Sequence, residues 1–379
     1  MAADSRRMLH IVGDSKGGGC TRIVLQIAAG AQASGWSVDV LTSDPLFTEG
    51  LRSAGIRPVS LDAVRREINP VTDAYATWQL TKLIKRGRYD VVHTHRPKPG
   101  VIGRLAARRA RTPLIVHTLH GFPLKEDASF AARAVVAQIE RLASSWSHEV
   151  VAVSHHHATQ LVERRMAPRS KVHAVPNGIP DLLLDYDGPS VRAATDDRFT
   201  VCVMGRLARQ KGLEQLIDAV KLIKDRGGPE LRVKIVGEGP IEEELQDRAR
   251  AAGVAECVDF LGYRTDVARI LTGSDIIVLP SLREGMSIAL LEAMCCARPI
   301  VATSIPGNLE ATDGGRVAWV VPPGDVLALA DAIMAAEKTP RPEREQLGRL
   351  ARAHFLENYL AGRMIDQYLN LYSQACHLG

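Results

Sequence analysis

A chain of 379 residues, 46% apolar and 24% charged, is longer than a single hydrophobic core supports and reads as two globular domains. No apolar run approaches the ~20 residues of a bilayer span, and the charged start, Met1–Arg7, lacks the apolar stretch of a secretory signal, so a cytoplasmic protein is expected, at most peripheral at the inner face of the cell membrane. The net charge of +5 is uneven: residues 1–180 hold 25 Lys/Arg against 14 Asp/Glu, and residues 181–379 hold 23 against 29. A basic first half suits an anionic partner. With 4% aromatics and no nucleic-acid module, that partner is expected to be an anionic membrane surface and not nucleic acid. Six scattered cysteines without a Cys-x-x-Cys read as small buried hydrophobes.

In chain order, strands are expected at Met8–Val12, Ser37–Leu41, Pro58–Leu61, Asp90–His93, Leu114–Thr118 and Glu149–Val153. Thr21–Ala33 and most later intervals have helical periodicity. Continuous apolar strands alternating with amphipathic helices imply a parallel sheet covered on both faces. Pro176–Asp197, rich in Pro, Gly and Asp, reads as a linker. The alternation then restarts with strands at Thr200–Met204, Arg232–Val236, Cys257–Leu261, Asp275–Leu279 and Pro299–Ala302. His354–Ser373 reads as one long helix. The expected domains are therefore 1–180 and 198–353, with 354–379 packing back toward the first. Open sheets bind ligands at the carboxyl ends of their strands, and two α/β halves imply a cleft between them.

The first strand runs into Gly13-Asp14-Ser15-Lys16-Gly17-Gly18-Gly19. Gly18 and Gly19 let a ligand approach the backbone, and the helix beyond offers its N-terminus to an anion. The loop is neither a Gly-x-Gly-x-x-Gly fingerprint nor a P-loop, and a plain strand-to-helix turn reads equally well. His93 and His95 are expected to point oppositely at a strand end. Without carboxylate or cysteine ligands matched to them or to His155–His157, no metal site is expected. His120-Gly121 ends the strand at Leu114.

The second half is more specific. Gly205-Arg206-Leu207 follows a strand and Gln210-Lys211-Gly212 opens a helix. Arg206 and Lys211, five apart at a helix N-terminus, can clamp a diphosphate, the Arg as a planar fork and the Lys as a point charge. Gly237 sits in a further small-residue turn. Pro280-Ser281-Leu282-Arg283-Glu284-Gly285-Met286-Ser287 precedes a helix carrying Glu292. A carboxylate at such a turn can accept from sugar hydroxyls, and one along the helix can grip a ribose.

Taken in order, these motifs, with Val153-Ser154, Pro176-Asn177-Gly178-Ile179, Pro306-Gly307 with Glu310, and Pro323-Gly324-Asp325, resemble family 4 of the retaining glycosyltransferases across nearly the whole chain. The resemblance implies a GT-B fold, two Rossmann-like parallel-sheet domains facing a central cleft, and sugar transfer from a nucleotide-diphosphate donor to a hydroxyl acceptor with no cofactor and no catalytic metal. UDP is the expected nucleotide from frequency in the family. Arg206 and Lys211 would bind the donor diphosphate, Glu284 the sugar hydroxyls and Glu292 the ribose. Gly18 and Gly19 would close over the phosphates, Met286 and Ser287 would present backbone N–H groups, and His120 would stand beside the donor sugar. His93, His95 and Lys98 are similar to members that build capsule, exopolysaccharide or lipid-linked glycans. A sugar-nucleotide epimerase, transfer to a small soluble acceptor, and a non-catalytic sugar-nucleotide sensor remain alternatives. Pro180 before Asp181 departs from the usual pattern in a loop that reads as structural.

Overall fold

The computed structural model describes residues 6–13, 18–61, 69–122, 129–184, 186 and 198–373. Contacts divide the chain into two units, Met1–Gly178 with Ala361–Gly379, and Ile179–Leu360.

The first unit holds β1 (Arg7–Gly13), α1 (Gly19–Ala33), β2 (Ser37–Thr42), α2 (Pro45–Ser53), β3 (Arg57–Val59), α3 (Pro70–Gly87), β4 (Val91–His95), α4 (Pro97–Ala110), β5 (Leu114–Leu119), α5 (Phe130–Ser145), β6 (Glu149–Ala152), α6 (His155–Glu163) and β7 (Val172–Ala174). The strands pair in parallel in the order β3-β2-β1-β4-β5-β6-β7. The central strands β4 and β5 are buried along their whole length, as a sheet covered on both faces requires. Leu9, Ile11, Val92 and Ile115 form a core with Leu80 and Ile84 of α3. Asp44, Asn69 and Ser154 accept from backbone N–H groups and so fix where α2, α3 and α6 begin.

The second unit holds β8 (Phe199–Met204), α7 (Leu213–Asp225), β9 (Leu231–Val236), α8 (Glu242–Ala251), β10 (Val258–Phe260), α9 (Val267–Thr272), β11 (Ile276–Leu279), α10 (Ile288–Cys295), β12 (Ile300–Thr303), α11 (Pro306–Ala311), β13 (Trp319–Val321), α12 (Val326–Lys338) and α13 (Arg341–Asn358). Its parallel sheet has the order β10-β9-β8-β11-β12-β13. Val201, Val203, Ile235, Ile276 and Val278 pack against Leu216, Ile217 and Val220 of α7.

The edge strands β7 and β13 have no counterpart among the expected strands. Each is three residues long, and pairing with β6 and β12 defines it. The expected helix over His354–Ser373 is two helices, α13 and α14 (Ala361–Ser373). The break has a local cause: the Ile179 N–H donates to the Tyr359 carbonyl and Ile179 bridges Leu360, which takes this backbone out of the helix. The helix α14 packs in the first unit against α1. A Cβ at Gly30 would lie 2.4 Å from Ile365, so the helices meet where α1 has no side chain. Tyr368 and Tyr372 of α14 are fully buried.

Candidate functional site

In the second unit the strand order reverses beside β8, with β9 on one side and β11 on the other. Such a switch point opens a crevice at the carboxyl ends of the strands. Gly205, Arg206, Lys211, Pro280 and Ser281 line a pocket there. Glycine makes the convergence possible. At Gly237 (φ +128°) a Cβ would lie 2.0 Å from the Gly205 carbonyl oxygen, and at Gly212 (φ +67°) it would lie 1.9 Å from that of Pro280. Gly237 therefore serves close packing of two strand-end turns, and Gly212 seats the start of α7 against the end of β11. The Leu282 N–H donates to the Gln210 carbonyl at 2.8 Å and ties the same two segments together.

The structure brings Lys211 and Glu284 into direct contact as an ion pair. Ser281 also donates from Oγ to Glu284 Oε1 at 3.3 Å. Arg206 stands exposed at the end of β8. Met286 and Ser287 are buried at the entry to α10, and Glu292 is buried on it at 2% exposure. The Ser287 hydroxyl oxygen is buried and has no hydrogen-bond partner among the described residues. A cation pair, a carboxylate and a helix start thus meet at one strand-end crevice. That set suits a ligand with both negative charge and hydroxyl groups.

In the first unit the corresponding edge carries Gly18, Gly19 and His120. Gly18 has φ +117° and immediately precedes α1, which begins at Gly19. Beyond its chain neighbours, no described residue lies within 4 Å of its Cβ position, so among the described residues the glycine answers to backbone conformation there. Gly17 lies outside the described residues. His120 follows β5 and pairs through Nε2 with His95 Nδ1 at 3.0 Å. Burial, with Arg96 adding to it, pushes its pKa down to about 3.

His93 and His95 do not point oppositely. Residues i and i+2 of a strand share a face, and the two ring centroids are 4.1 Å apart. His10 on β1 joins them, stacked on His95 at 5.3 Å. The alternation in the sequence could have shown the His93–His95 pair, but His10 enters only because β1 pairs with β4. One ring nitrogen from each of His10, His93 and His95 lies within 4.8 Å of the others, a spacing a metal ion could use. Here the nitrogens are largely engaged in hydrogen bonds: His93 Nδ1 with Tyr372 at 2.7 Å, His93 Nε2 with Thr118 at 2.8 Å, and His10 Nδ1 with His95 Nε2 at 3.0 Å. An acidic Asp-x-Asp, Asp185-Tyr186-Asp187, occurs in the linker, with Asp185 and Asp187 outside the described residues.

Two parallel-sheet Rossmann-like units with a strand-end site define the GT-B fold. Over 97% of this chain and 99% of its own, Anabaena Alr3699/HepE, solved in complex with UDP and glucose, superposes with a TM-score of 0.83 at 20% identity. Residues 18–178 match the family described as "Glycosyl transferase 4-like domain" and residues 189–354 that described as "Glycosyl transferases group 1". The chain belongs to the family-4-like glycosyltransferases. It is 29% identical, over 67% of each chain, to an Escherichia coli UDP-Gal:alpha-D-GlcNAc-diphosphoundecaprenol alpha-1,3-galactosyltransferase. It is 24% identical to the Staphylococcus aureus capsular polysaccharide biosynthesis glycosyltransferase CapM, over 81% of this chain and 82% of that one.

Proposed function

We propose that this glycosyltransferase moves a sugar from a UDP-sugar to a hydroxyl of a lipid-linked acceptor, with retention and without a metal, in the assembly of a surface polysaccharide or glycolipid. The observation that carries this reading is the Lys211–Glu284 pair beside Arg206 at the switch point of the second sheet. A donor diphosphate would draw on Lys211 and Arg206, releasing Glu284 to accept from the sugar hydroxyls. The Ser287 hydroxyl, without a partner among the described residues, supports a role in meeting a phosphate or sugar oxygen at the start of α10, and the backbone N–H groups of Met286 and Ser287 are assigned to the same task. Buried Glu292 is assigned to the ribose. Gly18 and Gly19 are assigned to the phosphates, and neutral His120 to the donor sugar.

In the reaction the C1–phosphate bond breaks, negative charge grows on the leaving diphosphate, and Arg206 and Lys211 stabilise it. The acceptor oxygen bonds to C1 on the same face, and its proton passes to a phosphate oxygen. The name of the E. coli relative, which includes a diphosphoundecaprenol-linked sugar, supports the acceptor class, and that of the S. aureus relative supports polysaccharide assembly. A membrane surface is the natural place for such an acceptor, and α5 offers one side for it. Phe130, Val135, Ile139 and Leu142 are between 47% and 88% exposed, with Arg133 and Arg141 among them.

A thermal-shift screen of nucleotide sugars, followed by transfer assays with and without chelator, tests the reading. UDP-sugars should raise the melting temperature, and the product should keep the donor's anomeric configuration in the presence of chelator. Preference for another nucleotide, inversion, or loss of transfer to chelator would each overturn the corresponding part.

A further inference from the structure

Three histidine rings run in series through the first unit. His10 Nδ1 lies 3.0 Å from His95 Nε2, and His95 Nδ1 lies 3.0 Å from His120 Nε2. His10 and His95 are fully buried, and burial lowers the pKa of all three. His93 stands beside the series and spends both nitrogens on Tyr372 and Thr118. His117 turns to Thr94.

A neutral imidazole carries one N–H and one bare nitrogen. His95 therefore donates in one direction only, and the three tautomers are locked together. In one arrangement His10 donates from Nδ1 to His95, His95 donates from Nδ1 to His120 Nε2, and His120 carries its own proton on Nδ1. In the other, every proton is reversed: His10 carries its proton on Nε2 and His120 presents a bare Nδ1. His10 Nε2 decides between them, because it is buried without a partner among the described residues. A buried N–H without an acceptor is among the rarest groups in folded proteins, so the bare form of that nitrogen is favoured.

We infer that His10 and His95 are positioning residues that hold His120 as the Nδ1–H tautomer, a hydrogen-bond donor to an oxygen of the sugar donor and not a base. The inference rests on the assignment of His120 to the donor sugar, and it deepens that assignment. The reach is from the middle of β1 to the end of β5, through a chain that α14 helps to enclose: Tyr372 meets the His10 ring edge-on at 6.5 Å.

The test is ¹⁵N-histidine NMR of the full chain, with each ring assigned by substitution, beside donor-binding titrations and single-turnover rates. Wild-type His120 should show a protonated Nδ1 and a bare Nε2. In His10→Leu and in His95→Leu the His120 ring should lose that fixed tautomer. Turnover should fall about 10-fold, the scale of one hydrogen bond, with donor affinity unchanged. In His95→Asn, whose amide can reach His120 from the Nδ1 position, part of the turnover should return. A wild-type His120 protonated on Nε2 overturns the inference even if no variant folds. So does an unchanged His120 tautomer in both leucine variants, or stoichiometric cobalt uptake by the wild type that His10→Leu abolishes, since the rings would then be metal ligands. His120→Ala with wild-type turnover would instead remove the assignment of His120 to the sugar, a result separate from the tautomer measurement.

Discussion

At the scale of single residues, the carboxylate at the strand-end crevice of the second unit is held in place before a ligand arrives. Glu284 is tied by Lys211 and Ser281 at the turn that leads into α10. Glu284→Gln keeps the shape and removes the charge, so transfer should be lost while the melting temperature stays near that of the wild type. Purified Glu284→Gln with near wild-type turnover would end the assignment. If Arg206 and Lys211 hold the donor diphosphate as proposed, Arg206→Ala and Lys211→Ala should each cost about 1.5–3 kcal/mol, the scale of a charge-assisted contact, or roughly 10- to 100-fold in affinity. The loss should appear for UDP-sugar and UDP but not for uridine, and equal losses for all three would rule out a phosphate clamp. Titration calorimetry separates the outcomes.

At the scale of elements, α4 and α5 show that charge spacing alone does not make a surface. Arg104, Arg108 and Arg111 fall at i, i+4 and i+7 of a helical pattern and, by spacing alone, make a basic face for a membrane. Arg104 is instead 0% exposed, donating to Glu140 of α5 at 2.7 and 3.2 Å and to the Gly100 carbonyl at 2.9 Å. Removing one partner of a buried pair leaves the other charge uncompensated, at a cost of about 3–5 kcal/mol. Arg104→Met should therefore unfold the first unit at lower denaturant. Arg104→Met with Glu140→Leu should recover most of the loss, and failure to recover would mean that the pair is not the source. The surface suited to a membrane moves to the outer side of α5, where Val135, Ile139 and Leu142 recur at helical spacing among Arg133 and Arg141. Each cation near an anionic bilayer contributes about 1 kcal/mol. The protein should sediment with anionic vesicles and less so as salt is raised, and Ile139→Asp with Leu142→Asp should release it. Sedimentation unaffected by that double change would move the contact off α5.

At the scale of the whole molecule, the first unit gathers neutral histidines and the second does not. Burial pushes His10 and His120 from the ordinary 6.5 down to about 3, and lowers His93, His95 and His117 as well. An unfolded chain takes up these protons as pH falls through about 6.5, whereas the folded unit resists them until far lower pH. The unfolded state then binds more protons, so stability is complete above about pH 6.5 and declines steadily below it. Melting curves across pH 4–8 should show the loss, concentrated in the first unit by hydrogen exchange. Melting that is flat down to pH 5 would mean that the rings are not held neutral.

The sequence by itself determined the two-sheet architecture, because central parallel strands are continuous apolar runs and the glycines at their ends mark where chains must cross closely. It determined the strand-end positions of Arg206, Lys211 and Glu284 for the same reason, since a motif that lies at a strand-to-helix turn in sequence lies at the sheet's carboxyl edge in space. Only the tertiary structure decided what depends on a partner distant along the chain. The three-residue strands β7 and β13 exist through their neighbours. The end of α13 exists because Ile179 claims the backbone at Tyr359, and the burial of Arg104 exists because Glu140 lies 36 residues away. His10 reaches His95 across 85 residues, and a one-dimensional period cannot carry that information. Local spacing fixes which side of an element a residue occupies, while the packing of other elements fixes whether that side meets water, a charge or another ring.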